Sequence, residues 1–389
     1  MLHAIGNLTL PQLGYANLIK PAPLLDNPRL TTDIFDGLEL TSSDGTGLVF
    51  GSTIYHQHGI IGRGTCVVRA RCVEKGKDSG TDDDAWDGPL IVKPSWPAKS
   101  RISENDIIEK ARNAANHDEH RWVLKHLPQV LHAEDRHVNL LSRALIDRMG
   151  DRYEERVLRI MVQENCLPSQ SRQSQLTSQS FREIFRCMYS HSVPFGRSLI
   201  VSVLGYRWLF EVPRILHRDI SLNNLMLRKE GDKAYGVLND FDLAVDADVK
   251  SASSKQRTGT KPFMAIDLLR DHPSVHMYRH DLESMFYVLV WITSRFHNGE
   301  EGGTALVDKK LSFMLSPPPP PTAEFDPLGR WVASIRKMIH GGFSARTDYD
   351  TELNISLRSQ NASLPHFDDE ILGGCVTFDK FQMILDIQL

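Results

Sequence analysis

Cysteine is scarce. The chain has five, Cys66, Cys72, Cys166, Cys187 and Cys375, scattered over 389 residues. The number is odd, no two form a CxxC pair and no His/Cys cluster exists, so neither a disulfide scaffold nor a structural zinc site is expected. That usage fits a reducing compartment. Long apolar runs are also missing. Stretches such as Met285–Ile292 fall far below the roughly 18–20 residues that span a bilayer. The opening MLHAIGNLTLPQLG has no basic stretch and its apolar run breaks early, so it does not read as a secretory signal. Charge of one sign is not in excess: 45 Lys+Arg against 49 Asp+Glu leave a net charge of −4. Neither nucleic acid nor an anionic membrane is therefore an expected partner. The expected setting is intracellular, cytoplasmic or nuclear, with the oligomeric state left open.

Hydrophobic residues at 41% and charged residues at 24% are ordinary globular values and exclude wholesale disorder. The length allows two structural units or one large bilobal one. Residues 1–46, dense in Pro, Asn and Gly, read as an irregular extension. Leu48–Tyr55, Thr65–Val73 and Leu90–Lys93 are rich in β-branched residues and read as strands, with the acidic loop Asp78–Asp87 between two of them. A helix is expected from Ser103, with Ile107, Ile108, Ala111 and Ala115 forming one stripe. Glu104 falls on the centre of that stripe and Glu109 well off it, and a carboxylate aimed at a buried face needs a partner. Val157–Gln163 reads as a further strand. Helical segments follow at Phe181–Cys187, Tyr206–Val212, Asp281–Ile292 and Trp331–Ile339, and Pro317–Pro321 reads as a polyproline II spacer on the surface. Strands first and helices second predict an α+β chain, with a small β-rich lobe over 47–165 and a larger helical lobe over 166–389.

The most informative segment is Ile215–Ala244. It holds His217-Arg218-Asp219, then Asn224, then Asn239-Asp240-Phe241-Asp242 behind the apolar pair Val237-Leu238. This resembles the protein-kinase catalytic loop followed by the metal-binding turn. Phosphoryl transfer needs a carboxylate at the substrate hydroxyl and oxygen ligands for Mg²⁺. Asp219 suits the first role, Asn224 and Asp240 the second. Asn224 lies five residues past Asp219, so a short loop presents both side chains to one site. Gly259–Asp267 (GTKPFMAID) resembles the end of an activation segment, with Ile266 and Asp267 in place of Pro and Glu. Asp281 reads both as a helix N-cap and as the aspartate that anchors the catalytic loop in kinases.

Upstream, Gly62 and Gly64 in IGRGTCVV resemble the nucleotide-covering glycine loop, where small residues let backbone N–H groups approach phosphates. Val67 stands where a third glycine would be, and a bare GxG taken on its own reads as a β-turn. Lys93 matches the strand lysine of kinases, and pairing with Glu104 would satisfy both charges. The hinge between lobes is then expected near Glu164-Asn165, where adenine would sit. Gly62–Thr65, Val92–Trp96, Trp208–Ser221, Asn239–Ala244, Arg257–Leu268, Tyr278–Ser284 and Ile371–Phe381 together resemble the fungal-type protein kinase family, over roughly residues 50–389. The resemblance implies a two-lobed kinase fold, ATP, Mg²⁺ and protein substrates.

Ser221 takes the place of the catalytic-loop lysine and Asp242 that of the turn glycine, departures that leave a pseudokinase acting as a nucleotide-binding or scaffolding module as the alternative. Arg218 implies a receptor for a phosphorylated activation-loop residue. Thr258 is either that residue or a plain turn residue, and Thr260 is expected against Asp219, which by analogy points to Ser/Thr substrates. A small-molecule kinase is the third reading, against which Arg218 and Thr258–Asp267 argue. Finally, Met188–Gly205, with Pro194, Gly196 and Gly205 as breakers, interrupts an expected helix. Removing it leaves apolar and aromatic side chains in an unbroken i, i+3, i+4, i+7 stripe. The segment reads as translated intron or as a genuine loop insertion.

Overall fold

A computed structural model describes residues 19–21, 35–56, 64–73, 89–136, 150, 154–168, 200–230, 233–248, 259–270, 272–297, 300–301, 320–322, 326, 328–359 and 366–385. Gly62, Thr258 and residues 188–199 of the anomalous segment lie outside them, as do Phe181–Cys187 and residues 317–319 of the proline run. The chain divides into two compact units, one of Met1–Asn105 with Pro128–Asn165, the other of Asp106–Leu127 with Cys166–Leu389.

The first unit is built on a seven-stranded sheet in the order β1-β2-β3-β4-β5-β7-β6. Its strands are β1 (Ile19–Pro21), β2 (Leu38–Thr41), β3 (Gly47–His56), β4 (Cys66–Cys72), β5 (Leu90–Ser95), β6 (Val130–Arg136) and β7 (Leu158–Glu164). All neighbours are antiparallel. The period of two decides what each strand buries. Cys66, Val68 and Ala70 of β4 go into one apolar cluster with Leu48 and Phe50 of β3, Leu90 and Val92 of β5, and Leu158, Ile160 and Val162 of β7. Ile91 and Lys93 alternate with Leu90 and Val92, so they lie on the opposite face, across from Gln163 and Met161. Pro94 sits inside β5, yet the ladder to β4 has already ended at Val92, so its missing N–H removes no bond there.

Residues 1–46 are not wholly irregular. β1 and β2 both pair into the sheet, with Leu40 of β2 in the apolar cluster. The reason is the LELT pattern, which buries Leu40 and exposes Thr41 although Asp, Gly and Ser flank it.

The second unit is mainly helical. It holds most of α1 (Glu104–Ala114), then α2 (Ile200–Glu211), α3 (Ile266–Leu269), α4 (Tyr278–Arg295), α5 (Gly329–Ser359) and α6 (Phe378–Ile384). It also has β8 (Leu167–Pro168), β9 (Ile215–Leu216), the hairpin β10 (Leu225–Glu230) and β11 (Lys233–Leu238), and β12 (Val245–Asp246). Asp106–Leu127 groups here because the 3₁₀ segment Asp118–His126 is tied to the hairpin. The buried guanidinium of Arg228 donates to the carbonyls of Lys125 (2.6 Å) and Leu127 (2.8 Å), and His126 Nδ1 donates to the Gly236 carbonyl at 2.8 Å. Gly205, expected to break structure, lies within α2. A helical glycine costs about 1 kcal/mol against alanine, and burial of Tyr206, Leu209 and Phe210 outweighs that.

The C-terminal α6 closes against α2 and α4 through an aromatic cluster. The Phe378 ring stacks on Tyr278, 4.7 Å between centroids and 10° between planes, and approaches Tyr206 and Phe210. Arg207 of α2 bonds Asp379 and Gln382 of α6. Thr377 caps the helix, its hydroxyl accepting from Lys380 N–H at 3.2 Å.

Candidate active site

Two groups of residues singled out by the sequence assemble, one in each unit. In the first, Lys93 Nζ reaches Glu104 Oε2 at 2.7 Å, with the two side chains 8% and 10% exposed. β5 carries Lys93 on the face away from the apolar cluster, and α1 places Glu104 in its first turn, with Ile107, Ile108 and Ala111 buried and Glu109 exposed. A dry pair of this kind fixes the ammonium in place, since each charge would be costly to bury alone. Gly64 precedes β4 at φ +55, a left-handed conformation open to glycine. Glu164 ends β7 and its Oε1 accepts from Gln129 N–H, while Asn165 N–H donates to the Pro89 carbonyl.

In the second unit, β9 delivers His217-Arg218-Asp219 onto a loop closed by a single 3₁₀ turn, Leu222–Asn224. Asn224 Nδ2 donates to the Asp219 carbonyl at 2.8 Å. That use of the amide leaves the carboxamide oxygen as the free end of the side chain. Asp219 Oδ1 accepts from both the N–H and the hydroxyl of Thr260, each at 2.8 Å. Both contacts fall on Oδ1, and neither on Oδ2. Gly259 makes this approach feasible. It has φ +123, and a Cβ there would lie 3.3 Å from the Arg218 carbonyl and 3.7 Å from Asp219 Oδ1.

The turn after β11 begins with Asp240 at φ 62 and continues into a 3₁₀ turn, Phe241–Leu243. Phe241 is buried against the His217 ring, edge-on at 4.9 Å. His217 Nε2 donates to the Asn239 carbonyl at 3.1 Å and Nδ1 accepts from Asp219 N–H at 3.3 Å. Those two contacts select the neutral Nε2–H tautomer. Burial lowers the His217 pKa, and the carboxylates Asp281, Asp219 and Asp240 oppose that only in part. The loop and the turn are therefore tied through one neutral imidazole. Asn224 and Asp240 offer oxygen donors, the chemistry that hard divalent cations take.

Beneath the loop lies Asp281, fully buried in the first turn of α4. Its Oδ2 accepts from Arg218 N–H at 3.1 Å. Burial alone would raise its pKa, but His276, Tyr206 and His217 together hold it below the usual carboxylate value. Of its two expected roles, the anchoring contact is present. Further along, Asp267 pairs with Arg279 at 2.7 Å. Glu283 accepts from Ile266 N–H and from the Tyr287 hydroxyl, each at 2.9 Å, and burial raises its pKa. Three residues here were not foreseen from sequence: His276, Arg279 and Glu283. The first carried no distinguishing signal; the others stand within YRHDLES, which reads as a motif without disclosing which side chains bond.

Ser221 is buried, 1% exposed, and its neutral hydroxyl supplies no cation at that loop position. Asp242 is half-buried. Among the described residues, no helix is long and apolar enough to cross a membrane.

Residues 12–293 match the family model described as fungal protein kinase. No curated protein matches the chain. Among solved structures, that of vaccinia related kinase 3 is similar, with 12% sequence identity, 92% of each chain covered and a TM-score of 0.47.

Proposed function

Because the chain belongs to the fungal protein kinase family, we propose that it catalyses ATP- and Mg²⁺-dependent phosphoryl transfer to Ser/Thr hydroxyls of protein substrates, with 47–165 as the nucleotide lobe and 166–389 as the catalytic lobe. The observation that carries this reading is the fixing of Asp219: one carboxylate oxygen holds two bonds from Thr260, and neither falls on the other. In this reading Asp219 Oδ2 accepts the proton of the substrate hydroxyl. The hydroxyl oxygen bonds to the γ-phosphorus, the bond from that phosphorus to the bridging oxygen breaks, and ADP leaves. Lys93, oriented by Glu104, holds the α/β-phosphates. Gly62 and Gly64 cover them, and Glu164-Asn165 meets the adenine.

Asn224 and Asp240 are the residues to hold Mg²⁺. The Asn224 amide is spent on the Asp219 carbonyl, so an oxygen remains, and Asp240 adds a carboxylate. The ion, when bound, neutralises charge on the phosphates. The Thr260 contact supports hydroxyl substrates of the Ser/Thr class, and Arg218 with Thr258 supports control by activation-segment phosphorylation. A second reading, a pseudokinase that binds nucleotide or partners without transfer, is favoured by one observation: buried Ser221 stands where kinases carry a cation.

Radiolabelled phosphate transfer by the full chain to a panel of protein substrates separates the two. Under the first reading transfer occurs, and Asp219→Asn lowers it by roughly 10²–10⁴-fold. Wild-type transfer no higher than the variant's overturns it.

A further inference from the structure

The anchoring aspartate has a second, unassigned partner. His276 precedes α4, and its ring is mostly buried, 11% exposed. Its Nε2 donates to Asp281 Oδ1 at 2.8 Å, while Oδ2 of the same carboxylate accepts from Arg218 N–H at 3.1 Å. The two oxygens thus divide the work, one facing the histidine and the other the residue beside Asp219. From the geometry we infer that His276 is a positioning residue, whose Nε2–H fixes the Asp281 carboxylate and through it the Arg218–Asp219 backbone. The part of this inference that concerns phosphoryl transfer rests on the kinase reading above; the part that concerns the loop does not.

The argument is one of orientation in a dry site. Asp281 is completely buried, so water cannot take over the bond to Oδ1. Without a donor there, an ionised carboxylate is costly to keep. It can rotate, take up a proton, or draw its bond from elsewhere, and each response disturbs the acceptor that Arg218 N–H needs. The groups facing Asp281 are few. Tyr206 comes from α2, His217 and Arg218 from the catalytic loop, and His276 from the segment before α4. Within α4, Arg279 and His280 lie close by: the His276 and His280 rings are edge-on, 5.3 Å between centroids, and His280 is held neutral by burial and by Arg279. His280 is itself committed, its Nδ1 accepting from Met277 N–H at 3.0 Å. His276 is therefore the imidazole that donates to Asp281.

Three variants test this, each as the full chain: His276→Gln, whose amide reaches as far as Nε2, His276→Asn, whose amide is shorter, and Val275→Ala as an exposed neighbour. Amide hydrogen exchange of the segment 215–224 is the first readout. Asn is expected to speed exchange there by roughly tenfold or more, with Gln and Val275→Ala near wild type and β6 of the first unit unchanged in all. The second readout is transfer kinetics. Asn should lower kcat roughly tenfold to a hundredfold with the KM for ATP unchanged, and Gln should restore it. It should also move the acidic limb of kcat upward in pH, because Asp281 without its donor takes up a proton more readily. Exchange unaltered in His276→Asn, or raised equally across the chain, overturns the proposal. If wild type transfers no phosphate, the kinase reading fails while the exchange result still decides the role of His276.

Discussion

At the scale of single residues, the first unit concentrates its chemistry in one ion pair. Lys93 and Glu104 are both nearly dry, 2.7 Å apart. Removing one charge leaves the other poorly compensated, whereas replacing both with apolar groups does not. Glu104→Gln is therefore expected to cost roughly 3 kcal/mol in urea unfolding and to abolish transfer. The double variant Lys93→Met/Glu104→Leu should recover most of the stability and none of the transfer. Equal stability of wild type and Glu104→Gln would show that the pair is not energetically buried. Part of this chemistry was legible beforehand: a lysine behind three apolar residues reads by itself as a strand end, but a glutamate on an inward helix stripe announces an unmet charge, and the two together suggest a pair. His276 was not legible. Nothing in the sequence distinguishes a histidine that bonds Asp281 from any surface histidine, since the bond depends on how the chain enters α4.

At the scale of elements, the hairpin β10–β11 is pinned to Asp118–His126 by Arg228 and by His126. Burial, together with Arg228 and Lys125, lowers the His126 pKa from 6.5 to about 4, and its bond to the Gly236 carbonyl only partly opposes this. In the unfolded chain the same ring takes a proton near 6.5, so the folded state binds fewer protons between those values. Stability from this group is complete above about 6.5 and is lost as pH falls towards 4, by roughly 3 kcal/mol in all. Burial lowers His217 and His280 too, in the same direction. His126→Asn keeps a donor near the Nδ1 position and cannot titrate, so its urea midpoint should fall less steeply than wild type's between pH 6.5 and 4. Parallel curves would rule His126 out as a source of acid sensitivity. Elements differ in how openly the sequence declares them. β3, β4, β5 and β7 are runs of β-branched and apolar residues. β2 has four residues among turn formers, and β6, VLHAEDR, is polar enough to pass for a loop; pairing with β3 and β7 supplies what their own composition does not. The last turns of α5 extend to Ser359 on exposed contacts such as Arg346–Asp350, whereas apolar periodicity points only to Trp331–Ile339.

At the scale of the whole molecule, ligand linkage gives the broadest test. A ligand that binds only the folded chain adds about 2.7 kcal/mol at a hundred times its Kd. Mg·ATP is expected to raise the Tm, and Lys93→Met or Asp240→Ala to remove most of that shift. A shift without transfer would favour a nucleotide-binding pseudokinase, and no shift in wild type would count against the kinase reading and leave only a scaffold that binds no nucleotide.

The family match stops at residue 293, but packing does not. Phe378 and Phe381 are buried, and Phe378 lies flat on Tyr278, three residues before Asp281. A chain truncated at the match boundary would bare Tyr206, Phe210 and Tyr278 to water as one sticky aromatic surface, of the kind that drives self-association. Such a fragment should be recovered from a recombinant host mostly in the insoluble fraction, which makes the chain beyond the match, Phe378 included, a practical requirement for handling this protein at all.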